Sequence, residues 1–205
     1  MLFILLAPLT ALAAGPSLKD LNAVLASYRK ANAVHAKVNK TIEQELMGTS
    51  MKSQGEFYFS KGKLRLEMRE PEHTVLVYDG NVVWFESRAD EEHIVVTKIK
   101  SKDLRRSDSL LAALFDRKDV LDRFVLKGSS REDSKETFKF DAKDKSKSDV
   151  KQLEIGLRGK DIQRISYRDQ ADNHVTLEFS DLSKSKVDAA KFAYKIPKHA
   201  EVQEM

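Results

Sequence analysis

The sequence predicts an α+β fold, mainly β: one strongly curved antiparallel sheet with helices packed on its concave face. Three observations predict it. An apolar stripe at helical spacing follows Pro16, period-two alternation runs from residue 34 to about 100, and a second helical patch near residue 110 is followed by more alternation. An antiparallel sheet that buries one face and wets the other reads as this kind of alternation.

The first helix starts at Ser17. Leu18, Leu21, Val24, Leu25 and Tyr28 recur at helical spacing, and Ser17 with Asp20 forms a variant of the capping box. The helix is expected to run to about Ala33. Val34, Ala36, Val38, Ile42 and Leu46 then alternate with polar residues, and Gly48-Thr49-Ser50 turns the strand. Gly55, Phe57 and Phe59 share one face of the next strand, Lys61-Gly62 is a tight turn, and Leu64, Leu66 and Met68 alternate up to Pro71. Val75 to Tyr78 leads to the hairpin signal Asp79-Gly80, with Val82 to Phe85 returning. A further strand ends near Lys100.

Leu110, Leu111, Leu114 and Phe115 form a compact helical face, with Ser107 or Asp108 as its expected cap; Asp119 opens a second turn carrying Val120, Leu121 and Phe124. Strands are expected near 124–128, 136–142, 150–157, 162–168 and 174–180. At the end, Val187 to Ala190 reads as a helical turn, and Phe192, Tyr194 and Ile196 as an alternating strand.

The first fourteen residues, MLFILLAPLTALAA, are apolar and uncharged, too short to span a bilayer and suited to a signal-peptide core. Ala11-Leu12-Ala13 matches an A-x-A cleavage site. Residues 1–14 are therefore expected to be a cleaved signal peptide, and 15–205 a single domain exported to the periplasm.

Composition narrows the partners. The 36 Lys and Arg are interleaved with 32 Asp and Glu, for a net charge of +4, so no basic stripe points to nucleic acid. The absence of cysteine excludes disulfides, thiolate metal sites and a cysteine nucleophile. The five histidines never fall at metal-ligand spacing, and no G-x-S-x-G, phosphate loop or H-E-x-x-H occurs. Neither an enzyme, a metal nor a cofactor is expected.

Apolar surplus is the remaining signal. The strand faces carry Phe57, Phe59, Leu64, Leu66, Val75, Val77, Trp84, Phe138, Phe140, Leu177 and Phe179. The helices add Leu21, Leu25, Leu110, Leu111, Leu114 and Phe115. Such stripes are ordinarily core. Periodicity does not reveal a cavity, so an ordinary core and a lipid-binding cavity both remain open on these residues alone.

Two segments carry a resemblance. Gly55 to Glu86, GEFYFSKGKLRLEMREPEHTVLVYDGNVVWFE, holds a glycine, an aromatic strand, a basic turn, a strand ending at proline, and LVxDG before a short strand with Trp84; Val187 to Pro197, VDAAKFAYKIP, holds a V-D-A-x-x-F stretch, an alternating strand and a proline. Both resemble the LolA family of periplasmic lipoprotein carriers. The resemblance implies a half-open antiparallel β-barrel with a helical lid, whose cavity shelters the acyl chains of lipoproteins. It implies three partners: acylated lipoproteins as cargo, an inner-membrane ABC transporter that loads them, and an outer-membrane acceptor. A lipid- or protein-binding sensor on the same fold, without cargo transfer, is the alternative it allows. A free shuttle is expected to be monomeric.

The resemblance also implies a lid latch. The family carries an arginine in the turn after the aromatic strand, bonded to lid carbonyls. The matching position here is Lys61, which keeps the charge but lacks the planar fork of donors.

Overall fold

The computed structural model describes residues 15–100, 110–146 and 148–205. The expected leader and the Ser107/Asp108 cap lie outside the described residues.

Helix α1 spans Leu18–Lys30. The Asp20 amide donates to Ser17 Oγ at 3.3 Å and the Ser17 amide to Asp20 Oδ2 at 3.0 Å, so the capping box is closed in both directions. One face of the helix, Leu21, Val24, Leu25 and Tyr28, is buried.

Six strands follow: β1 (Val34–Gln44), β2 (Thr49–Ser60), β3 (Lys63–Met68), β4 (Thr74–Tyr78), β5 (Val82–Arg88) and β6 (Ile94–Lys100). Strand β1 stops two residues before Leu46, which sits in a single 3-10 turn and is 84% exposed. Helix α2 (Leu110–Asp116) comes next, then a 3-10 turn at Val120–Arg123 and β7 (Phe124–Glu132), β8 (Lys135–Ala142), β9 (Val150–Arg158), β10 (Asp161–Asp169) and β11 (Asn173–Ser183). These strands match the expected positions and run a few residues longer.

The twelve described strands, the last being β12 (Glu201–Glu204), form one sheet in the order β12-β6-β5-β4-β3-β2-β1-β11-β10-β9-β8-β7, with two open edges. Eleven are joined as antiparallel hairpins or through β1 and β11. The twelfth departs from expectation. Phe192 closes a 3-10 turn and residues 193–196 form no strand; β12 is Glu201–Glu204, and it pairs parallel to β6.

Two glycines set the geometry where chains approach. A side chain on Gly55 would meet the Glu67 carbonyl oxygen at 2.0 Å, so β2 and β3 can close only over hydrogen there. Lys61 and Gly62 both have positive φ, 49° and 76°, as a two-residue hairpin turn requires.

The concave face is one continuous apolar cluster. It takes Phe57, Phe59, Leu64 and Leu66 from one half of the sheet and Phe138, Phe140, Leu153, Ile155 and Leu177 from the other, with α1 and α2 between. Shared burial of strands that far apart in the sheet requires strong curvature. Among the described residues no helix is long and apolar enough to cross a membrane.

Candidate functional site

Thirteen of the sixteen expected cavity residues converge on the concave face: Leu21, Leu25, Phe57, Phe59, Leu64, Leu66, Leu110, Leu111, Leu114, Phe115, Phe138, Phe140 and Leu177. Most are filled core. Phe115 meets Tyr28, Phe57 and Phe59 at ring separations of 5.6, 5.2 and 5.5 Å, within the range of favourable aromatic contact. All six residues from Leu110 to Phe115 are buried, so α2 is a plug inside the sheet rather than a loosely anchored flap.

Val75, Val77 and Trp84 are corrections. Register places Leu64 opposite Tyr78 and Leu66 opposite Leu76, which puts Leu76 and Tyr78 on the inner face and Val75 and Val77 on the convex one. Trp84 pairs with Val77 and shares its side. Strand β4 is apolar on both faces, so alternation could not assign its parity. The outer face is apolar because the C-terminal segment covers it. Arg65, beside Val77 in register, donates to the Lys191 carbonyl at 3.3 Å. On the other flank Trp84 stacks on Tyr194 at 5.4 Å, whose hydroxyl donates to Glu86 at 2.7 Å. Val77 is fully buried beneath that crossing.

Open space remains at one end of the concave face. A cleft of about 240 Å³ lies between Leu66, Leu76, Phe85, Leu111, Val175 and Leu177, with Ile42 and Tyr167 also lining it. Of the expected residues only Leu66, Leu111 and Leu177 line it. Sequence reasoning missed Leu76 and Phe85 through the parity of β4 and β5. It also missed the polar members, Lys40, Gln44, Thr74, Asp169 and Asn173, because polar residues at inner positions read as breaks in the pattern.

Those polar members are organised. Lys40 projects from the inner face of β1 and pairs with Glu72, which also accepts from Ser53 at 2.8 Å and Thr74 at 3.1 Å. The Glu72 side chain is only 9% exposed, so its charge is compensated by a cation and two hydroxyls. On the other rim Asp169 accepts from the backbone and side-chain amides of Asn173, both at 2.9 Å. The cleft is thus an apolar slot with a polar collar.

The plug is fastened at its far end. Arg29, in the last turn of α1, donates to the carbonyl oxygens of Leu114 at 3.3 Å and Arg117 at 3.2 Å. Tyr78 donates to Asp116 at 3.0 Å; burial, with the Asp116 charge beside it, holds the phenol above its ordinary range. Among the described residues Lys61 makes no hydrogen bond or ion pair with α2. The contact to α2 carbonyls is made by Arg29, while the Lys61-Gly62 turn approaches the helix through Gly62, where an added side chain would lie 2.9 Å from the Asp116 carboxylate. Among the described residues no group of His, Asp and Glu is placed to hold a metal ion.

The family described as "Outer membrane lipoprotein carrier protein LolA" matches residues 29–195. No curated protein matches the sequence. Among solved structures, an uncharacterized conserved protein from Thermus thermophilus is similar at 12% identity and TM-score 0.52, covering 92% of this chain and 100% of that one. A LolA superfamily protein from Nitrosomonas europaea is similar at 9% identity and TM-score 0.44, covering 84% and 96%. A putative outer membrane lipoprotein-sorting protein domain from Vibrio parahaemolyticus is similar at 11% and 0.40, covering 82% and 94%.

Proposed function

The chain belongs to the LolA family, and from that premise we propose that it is a periplasmic carrier that holds the acyl chains of lipoproteins on its concave face and ferries them from an inner-membrane ABC transporter to an outer-membrane acceptor. The observation that carries this reading is the pairing of an apolar cleft with a helix of wholly buried side chains beside it.

The cleft alone is smaller than the roughly 300–1,000 Å³ of ordinary ligand sites, so a whole acyl chain enters only if α2 moves out. Exposing Leu110, Leu111, Leu114 and Phe115 would cost about 1.5–3 kcal/mol for each side chain. Burying a methylene returns about 0.8 kcal/mol, so roughly eight to fifteen of them, about one acyl chain, offset the displaced plug. Loading and release are then near balance, which a carrier needs and a permanent binder does not. The collar of Lys40, Thr74 and Asn173 would face the ester and backbone end of the cargo, while the slot takes hydrocarbon whatever polypeptide is attached.

The test is to mix the purified protein with a detergent-solubilised triacylated lipoprotein and remove the detergent. A soluble one-to-one complex, weakened by Leu76→Asp or Leu111→Asp, is expected. Lipoprotein that always precipitates alone would overturn the proposal.

A further inference from the structure

A second concavity lies at the opposite end of β1. It opens beside Ala33, whereas the nearest β1 residue lining the cleft is Lys40, roughly 23 Å away at about 3.3 Å per strand residue. Its volume is about 640 Å³. Its apolar floor is formed by the buried Ala33 and Phe192 with half-buried Val187, and its lining also carries Ala189 and the exposed Lys61, Lys63, Lys184 and Lys186. No Asp or Glu lines it.

The lysines come from two separate segments, the β2–β3 turn and the stretch that follows β11. Lys184 pairs with Asp161 at 3.2 Å and lies over the Tyr28 ring at 5.9 Å. Among the described residues Lys61, Lys63 and Lys186 have no ion-pair partner. Of the neutral polar groups, Ser60 donates to the Asn32 carbonyl, and Ser185 accepts from Ser183 at 3.0 Å. The unpaired lysines carry the charge of the rim.

We infer that this cleft binds an acidic phospholipid, with the lysines on its phosphate and the apolar floor against its glyceryl end and first methylenes. Three unpaired ammonium groups, with Lys184 beside them, suit a phosphate approached as a point charge. The apolar floor excludes a free anion as the full occupant, since phosphate alone would leave it wet. Lysines near an acidic lipid each add to its binding, so the rim supplies a useful share even where contact with the floor is brief. The site does not depend on the concave cleft and stands or falls separately from cargo binding.

Titration of the purified protein with monomeric dihexanoyl phosphatidylglycerol, followed through backbone amide shifts, tests it. Dihexanoyl phosphatidylcholine, inorganic phosphate and a short Glu-Leu peptide are the comparison probes. Phosphatidylglycerol should shift the amides of 60–63 and 184–192, and bind about tenfold more tightly than phosphatidylcholine. The double substitution Lys63→Glu with Lys186→Glu should remove that preference, and the milder Lys63→Gln with Lys186→Gln should reduce it. Unchanged shifts elsewhere would report an intact fold, since both lysines are exposed. Equal affinity for the two lipids, equal affinity for inorganic phosphate, tighter binding of the peptide, or shifts confined to the residues around Leu76 and Leu111 would each overturn it.

Discussion

Arg29 Nη1 donates to the carbonyl oxygen of Leu114 at 3.3 Å, joining the end of α1 to the end of the buried helix α2. The guanidinium satisfies carbonyls that a helix terminus leaves without partners, and it does so beside a core that excludes water. Burial lowers its proton affinity, and Asp116 nearby raises it again. Under the proposed displacement of α2 this contact has to break, together with the Tyr78–Asp116 hydrogen bond.

Arg29→Ala should therefore destabilise the protein by about 1.5–3 kcal/mol, the range for hydrogen bonds to charged groups. Amide exchange in α2 should accelerate more than in β8 or β9. Arg29→Lys should recover only part of the loss, since one ammonium cannot span both carbonyls as well. Lys61→Ala, by contrast, should change stability by less than about 0.5 kcal/mol. Chemical denaturation with site-resolved hydrogen exchange reads all three.

Phe115→Ala should cost about 3–5 kcal/mol by removing a ring packed among Tyr28, Phe57 and Phe59. Leu46→Ala and Met47→Ala, at 84% and 71% exposure, should leave the denaturation midpoint almost unchanged. A small effect at Phe115 would mean that the aromatic cluster is not the packing centre of the fold.

Alkaline pH should weaken the fold through Tyr28. Its hydroxyl oxygen accepts from the Ile162 amide at 3.1 Å, and burial pushes its pKa from 10.0 up to about 12. The folded value lies above the unfolded one, so the contribution is complete below about pH 10 and is lost as pH rises toward 12. Urea midpoints should be steady through neutrality and fall over that window. Tyr28→Phe should start lower, having left the Ile162 amide unpaired, and should fall less steeply. Parallel curves would refute the assignment.

Tyr194→Ala should release the C-terminal segment from the convex face. Trp84, the only tryptophan, stacks on Tyr194 and would become more exposed, so its emission should shift to the red. Glu86, 5% exposed, would keep its pairing with Arg88, and the combined loss of stacking and hydrogen bond should amount to about 1–3 kcal/mol. Tyr194→Phe retains the stack and separates the two contributions.

Sequence periodicity reveals most of this fold and only a fringe of the site. The strands from β1 to β11, the capping box and the Lys61-Gly62 turn follow from local rules, each carried by a few neighbouring residues. The cleft does not, because a void depends on where side chains end rather than on which are apolar. Phe57 and Leu66 are paired neighbours on the same face, yet only Leu66 borders open space. Val75, Val77 and Trp84 went astray for a related reason. Their outer face is dry because a segment more than a hundred residues later lies across it, which no window around β4 contains.

The position of β1 in the sheet order has a consequence for how the molecule comes into being. Strands β1 to β6 form one run of neighbouring hairpins and β7 to β11 another, and the two are united where β1 meets β11. The first run leaves the ribosome with the far edge of β1 unpaired, and that edge stays open until β11 has been made. Closing so long a loop is slow, and an unpaired strand edge recruits other chains in the interval. Pairing of β1 with β11 is thus a late seam, followed only by β12 on β6, and a chain stalled before Asn173 would present a sticky half-sheet in place of a container.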